Sequence, residues 1–391
     1  MNPRTALDGL SFSLADSASV FGPYLGIYLL TVLQWDQAAI GLVVMVSGLA
    51  GIAAQIPAGA FVDETRAKRA ALVVGTVVLS LAAAAILLWP TTLVIVVAAI
   101  VVALVRSLQV PLMAALTLGL FSRSEYGRNI GRNAAFDNAG NVFAALAAAA
   151  IGSLVSQSAV FWLVPALSLA ACVFVLRIRP EQIDHAVARG GDGLTPMSAI
   201  ELLSSRPLVI LAACFALFHL ANAAMLPLVG QRLAMDQSGY ESALMSACIL
   251  GAQLVMLLVA VLCGRFADKG RRKPLLLTAF AVLAVRGALY TLSDEPAWLL
   301  AVQPMDGIGA GILNVLIPLQ VADLTEGSGR YNASLGAVMM LGGIGAALSN
   351  GVAGAIVLHA GYDWAFSALS LVSLIGLALM ALHSNEIYRR L

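Results

Sequence analysis

Apolar residues in this sequence arrive in long blocks that polar residues scarcely interrupt. The stretches 70–89, 92–105, 139–155, 207–218 and 364–382 contain almost no charge. A block of about twenty residues matches a hydrocarbon layer of about 30 Å at about 1.5 Å per helical residue, so each block reads as a membrane-crossing helix. Polar and turn-forming breaks predict helices over 11–33, 38–61, 70–89, 92–120, 132–156 and 158–178. A second set follows over 207–230, 239–263, 274–292, 297–322, 331–356 and 362–383. Between the sets lies 179–206, the longest polar segment, with Arg-Pro, Gly-Gly-Asp-Gly and Thr-Pro turn signals. The pattern therefore predicts an all-α integral membrane protein of twelve transmembrane helices. Its parts are a six-helix bundle over 1–178, a linker over 179–206 and a six-helix bundle over 207–391.

Composition narrows the alternatives. The chain is 60% hydrophobic and only 11% charged, whereas a soluble domain carries about a quarter charged residues. A soluble chain of this kind would aggregate. Cys172, Cys214, Cys248 and Cys263 lie singly in apolar segments, with no metal-ligand spacing and no disulfide framework. Met1 to Asp8 is short and polar, and the apolar run to Leu33 lacks a small-residue cleavage site, so it reads as a first span. Nothing suggests a nucleic-acid partner; the surroundings are membrane lipid.

Charge placement orients the spans. Arg66, Lys68, Arg69, Arg123, Arg128, Arg132, Arg177, Arg179, Arg189 and Arg206 fall in alternate loops on one side. Arg265, Lys269, Arg271, Arg272, Lys273 and Arg330 join them, with Arg4, Arg389 and Arg390 at the ends. Opposite loops hold only Arg232, while Arg106 and Arg286 fall inside spans. The positive-inside rule makes the basic side cytoplasmic and puts both termini there. Trp35, Trp89 and Trp298 then sit near the outer ends, as interfacial aromatics do.

The loop after the eighth span reads Gly264-Arg-Phe-Ala-Asp268-Lys269-Gly-Arg271-Arg272-Lys273. A weaker copy, Gly59-Ala-Phe-Val-Asp63-Glu-Thr-Arg66-Ala-Lys68, follows the second span, at the matching place in the other half. Small residues allow close helix approach, and the aspartate can accept from helix N-terminal amides or guanidinium groups. One such loop is an ordinary positive-inside loop; two at matching positions mark a duplicated six-helix unit. On these residues the sequence resembles the major facilitator superfamily over nearly its full length. The second copy departs in having Gly270 one place early, and the first in having Glu64 at a basic position.

The resemblance implies the major facilitator fold, two pseudo-symmetric bundles with a central cavity, alternating access, and the first, fourth, seventh and tenth helices lining that cavity. Arg106-Ser-Leu-Gln109-Val-Pro111 resembles the Arg-x-x-Gln-Gly pattern of proton-linked exporters, with Val110 in place of glycine. Their fifth-helix Gly-Pro signature is absent; Ala139-Gly140-Asn141 stands there.

Ionisable residues inside spans must face protein or water. Arg106 suits an anionic substrate, a proton-linked change of partner, or a fixed ion pair. Asp306 and Asp16 are its nearest acidic counterparts by depth, each a candidate proton carrier. His219 and Asn222 share one face of the seventh span, as substrate ligands or as groups satisfied by a neighbouring helix. Arg132, Asp137, Asn138, Arg330 and Asn332 stand at the starts of the fifth and eleventh spans as gate or capping residues. Arg286 reads as a structural pair or a snorkelling side chain. No metal or cofactor site is expected, and Gly307–Gly311 and Gly342–Gly345 are packing runs, since no phosphate-loop lysine follows them.

The expected function is secondary active efflux of a small organic or amphiphilic compound in exchange for protons, by a monomer in a bacterial inner or plasma membrane. The alternative is uptake or exchange of a polar or anionic solute, with Arg106 and His219 binding it. A non-transporting receptor or membrane enzyme is the different-class alternative; no catalytic nucleophile and base are paired in the sequence.

Overall fold

A computed structural model describes residues 2–19, 24–121, 123–184, 205–236, 240–267, 272–324 and 331–388. Among them the chain is helical, with no strand. The helices are α1 (Pro3–Ser19), α2 (Leu25–Thr31), α3 (Gln37–Glu64), α4 (Lys68–Leu88), α5 (Thr92–Leu120), α6 (Arg123–Leu154) and α7 (Leu163–Arg177). After the linker, mostly outside the described residues, come α8 (Arg206–Asn222), α9 (Met225–Asp236), α10 (Glu241–Ala267) and α11 (Arg272–Leu289). The last four are α12 (Pro296–Val302), α13 (Met305–Leu324), α14 (Tyr331–Ala360) and α15 (Tyr362–Tyr388).

Each expected span coincides with a helix or a pair of helices, and ten stretches among the described residues are long and apolar enough to cross a membrane. The expected first span, now α1 and α2, and α11 are not in that set; α11 carries Arg272, Lys273 and Arg286. Three spans expected to be continuous are divided. Residues 20–23 separate α1 from α2 and lie outside the described residues. Between α8 and α9 the amide of Ala224 leaves the helical ladder and donates to Ser349 Oγ on α14 at 3.0 Å. Between α12 and α13 stands Pro304, which has no amide to give, and Asp306 N donates to Gln303 O in a tight turn. The fifth span also differs. Helix α6 begins at Arg123, nine residues before the expected 132, although its membrane-grade part does begin at Arg132. Hydropathy registers only the membrane-crossing part of a helix, whereas residues such as Arg and Glu propagate helix well outside it.

The chain divides into two compact units: Met1–Gln34, Val46–Leu194 and Gln237–Ser246 form unit 1; Trp35–Met45, Thr195–Asp236 and Ala247–Leu391 form unit 2. In unit 1, α1 packs on α6 and α7, and α4 packs on α5 and α7. A core shared by α1, α4, α5, α7 and the end of α3 holds Leu7, Leu10, Val62, Leu72, Leu116 and Val175, among others. Lipid is as apolar as these side chains, so close packing holds such helices together. Gly140 of α6 shows how: a Cβ there would meet Phe12 O and Ala15 Cβ of α1, so α6 lies directly on the α1 backbone. The same helix pair is joined by Arg132, whose Nε and Nη2 donate to the two Asp8 carboxylate oxygens at 2.7 Å each. In unit 2, α8 packs on α14 and α15, and α11 packs on α13 and α15. Ser370 and Ser373 of α15 donate to Ala284 O and Phe280 O of α11.

Candidate functional site

Within unit 1 the faces of three helices line an open cavity of about 510 Å³. Helix α5 contributes Arg106, Gln109, Val110, Met113 and Ala114; α1 contributes Ser11, Leu14 and Ala15; α6 contributes Asn133, Ala134, Asp137 and Asn141. On each helix these residues recur at intervals of three and four, with adjacent pairs among them, and so form one stripe per helix. Such a stripe carries polar groups into a membrane protein without exposing them to lipid.

Arg106 is half-buried, and its guanidinium makes no hydrogen bond among the described residues. Its charged neighbour is Asp137, with which it interacts across the cavity without a direct ion pair. Asp137 is exposed, and Asn141 Nδ2 donates to its Oδ2 at 3.3 Å. Asn133 Nδ2 donates to Thr117 Oγ1 at 2.8 Å, which fixes its amide against α5. Gln109 is 8% exposed and Ser11 is 4% exposed. Gln109 Nε2 and Ser11 Oγ are buried with no hydrogen-bond partner among the described residues. A buried donor without a partner is costly, so such groups are found where something else completes them.

Unit 2 holds a separate polar cluster. Arg286 Nη1 donates to Asp306 Oδ1, and the Arg286 guanidinium lies 5.9 Å from the Tyr290 ring centre. Tyr290 OH donates to Gln303 Oε1 beside the break between α12 and α13. His219 stands edge-on between Phe215 and Phe218, with ring centres 4.5 and 5.8 Å away, within electrostatic reach of Asp306. Asn222 Oδ1 is buried and has no partner among the described residues.

The sequence-predicted residues thus fall into distinct places. Arg106, Gln109 and Asp137 meet in the unit 1 cavity. Asp306, His219 and Asn222 lie in unit 2, where Asp306 is paired with Arg286. Asp16 lies on α1, but its side chain is outside the described residues. So are the side chains of Asp63 and Asn332 and the surroundings of Gly264, while Asp268, Lys269, Arg271 and Arg330 lie wholly outside. Lys68 is buried and donates to Val62 O and Thr65 O, closing the last turn of α3. Arg272 pairs with Asp323 of α13. Arg66 and Asn138 are exposed, Lys273 is half-buried, and a Cβ at Gly59 would touch nothing within 4 Å. Ser11 and Asn133 were not singled out from sequence. A small polar residue at cavity depth looks the same as a packing residue until its helix face is known. Among the described residues no group of three or more His, Cys, Asp or Glu is placed to hold a metal.

The sequence model described as Major Facilitator Superfamily matches residues 8–263 and 251–389. The chain belongs to the Major Facilitator Superfamily. Relatives called uncharacterized MFS-type transporters, from two strains of Mycobacterium tuberculosis, are 48% identical over 375 residues. That alignment covers 94% of this chain and 90% of theirs. The fold is that of solved facilitators. A mutant of the nucleoside transporter NupG, 15% identical, matches with a TM-score of 0.80 over 100% of both chains. A bacterial homolog to the human lysosomal transporter Spinster, 12% identical, matches with a TM-score of 0.72, covering 99% of this chain and 97% of that one. This superfamily member is therefore a multi-pass membrane transporter of the facilitator fold.

Proposed function

We propose that this chain is a proton-coupled secondary active transporter of a small organic solute, working by alternating access with the cavity around Arg106 as a solute site. The observation that carries the proposal is one cavity lined by a permanent cation, Arg106, and a titratable carboxylate, Asp137. A cavity of about 510 Å³ suits a small organic molecule. Leu14, Val110, Met113 and Ala114 supply apolar contact, which supports an amphiphilic cargo. Export in exchange for protons is the direction supported by the Arg106-Ser-Leu-Gln109 stretch, both of whose polar ends line the cavity.

A second reading, uptake or exchange of an anionic solute, is favoured by the absence of any hydrogen bond to the Arg106 guanidinium among the described residues. The mycobacterial relatives support a bacterial plasma membrane location, and the clustering of basic residues supports cytoplasmic termini. The test is flux in proteoliposomes with pH and voltage set independently. Flux that tracks the proton gradient at fixed voltage is the expected result. Flux indifferent to that gradient sinks proton coupling, and a protein that exchanges no solute under any gradient revives the receptor or enzyme reading.

A further inference from the structure

We infer that the solute carries an acidic group, bound among Arg106, Gln109 and Ser11, with Asp137 as the carboxylate that takes up a proton when the solute binds. This rests on reading the cavity as a solute site. The three groups come from two helices and face one cavity. Arg106 presents a guanidinium with no hydrogen-bonded partner, and Gln109 Nε2 and Ser11 Oγ are buried donors likewise without partners among the described residues. A planar fork with two further donors matches a carboxylate, sulfonate or phosphonate, whose oxygens accept several bonds at once. A solute without an anionic group would leave Arg106 with only the unbonded carboxylate of Asp137 as countercharge, and a cationic group would offer the two buried donors no acceptor. The apolar side chains of Leu14, Val110 and Met113 then take the body of the molecule.

Asp137 supplies the link to protons. Its carboxylate faces the same cavity and is the charge that interacts with Arg106. An anion bound on Arg106 repels that carboxylate and replaces it as countercharge, so anion binding and protonation of Asp137 favour one another. The other charged groups on the packed helices are Arg4 and Asp8 of α1, the latter held by Arg132 of α6, together with Asp16 of α1 and Arg123, Glu125 and Arg128 of α6, whose side chains lie outside the described residues. Anion and proton then occupy the protein together, which fits the uptake arm of the second reading, an anionic solute carried with a proton, and not export in exchange for protons.

The experiment is calorimetric binding to the full chain in lipid nanodiscs, using naphthalene-1-sulfonate, naphthalene-1-sulfonamide and 1-naphthylmethylammonium. The sulfonate stays charged at every working pH, so any pH dependence belongs to the protein. The sulfonate is expected to bind roughly tenfold or more tighter than the other two. Arg106→Gln should lose roughly tenfold to a hundredfold in sulfonate affinity, and Arg106→Lys should lose less. Gln109→Leu and Ser11→Ala, which keep Arg106, should each lose several-fold; they decide the matter if Arg106→Gln fails to fold. Wild-type affinity should rise as the pH falls, and Asp137→Asn should bind tightly with little pH dependence.

Equal or better binding of the sulfonamide or the ammonium overturns the proposal. So do no binding of any probe and full sulfonate affinity in a folded Arg106→Gln protein. An unchanged pH dependence in Asp137→Asn overturns the role of Asp137. Failure here is distinct from failure of the transport reading. Gradient-driven flux of the ammonium without sulfonate binding sinks the substrate class and leaves proton-coupled transport standing. Sulfonate binding with no gradient-driven flux of any solute does the reverse.

Discussion

Arg286 and Asp306 form an ion pair whose members differ sharply in exposure: the guanidinium side chain is 1% exposed and the carboxylate side chain 18%. Arg286 Nε and Nη2 have no further partner among the described residues, so Asp306 is the principal countercharge of a buried cation. Gln303, whose amide oxygen accepts from Tyr290, lies in the break between α12 and α13 just ahead of Asp306. The pair and the break therefore form one assembly in unit 2.

Removing one member should be worse than removing both. Asp306→Asn leaves Arg286 buried without its countercharge, at the lower end of about 3–5 kcal/mol because Asp306 keeps some contact with solvent. Arg286→Met combined with Asp306→Leu should recover most of that loss. Thermal unfolding in detergent checks this; a double variant less stable than Asp306→Asn contradicts it.

Asp306 also has a separate test in transport. If Asp306 carries the coupled proton, Asp306→Asn should abolish gradient-driven flux while solute exchange at equilibrium persists. Normal gradient-driven flux in the variant removes Asp306 as an obligatory proton carrier and leaves the acid of the unit 1 cavity, Asp137.

Lys68, expected at a gate, is fully buried and closes the end of α3 through Val62 O and Thr65 O. A charged donor on two helix-terminal carbonyls contributes about 1.5–3 kcal/mol. Lys68→Met should therefore lower the unfolding temperature. An unchanged unfolding temperature with altered flux would point back to the gate.

Two glycines should respond in opposite ways. Gly140→Leu must push α6 off the α1 backbone at Phe12 and is expected to cost about 1–3 kcal/mol or more. Gly59→Ala meets nothing within 4 Å and should be neutral or stabilising by about 0.5–1 kcal/mol. Unfolding temperatures of the two variants, measured side by side, decide it.

The sequence by itself determined the class. Blocks of apolar residues must become helices in lipid, because every backbone amide needs an internal partner there. The paired loops at Gly59 and Gly264 led to the expectation of a duplicated six-helix unit, because a repeated packing problem calls for repeated residue types. Arg106 was legible as a candidate site residue because a charge that deep has few alternatives. Only the tertiary structure decided the neighbours. Helix periodicity puts Arg106 and Gln109 on one face, but it does not say that Ser11 and Asp137 face them, because that depends on how α1 and α6 are rotated about their axes. Nor does it give Asp306 to Arg286, which are 20 residues apart on different helices. The breaks at Ala224 and Pro304 were equally hidden. A proline marks where a helix can yield, whereas the Ser349 hydroxyl that takes up the freed amide of Ala224 lies 125 residues away in sequence.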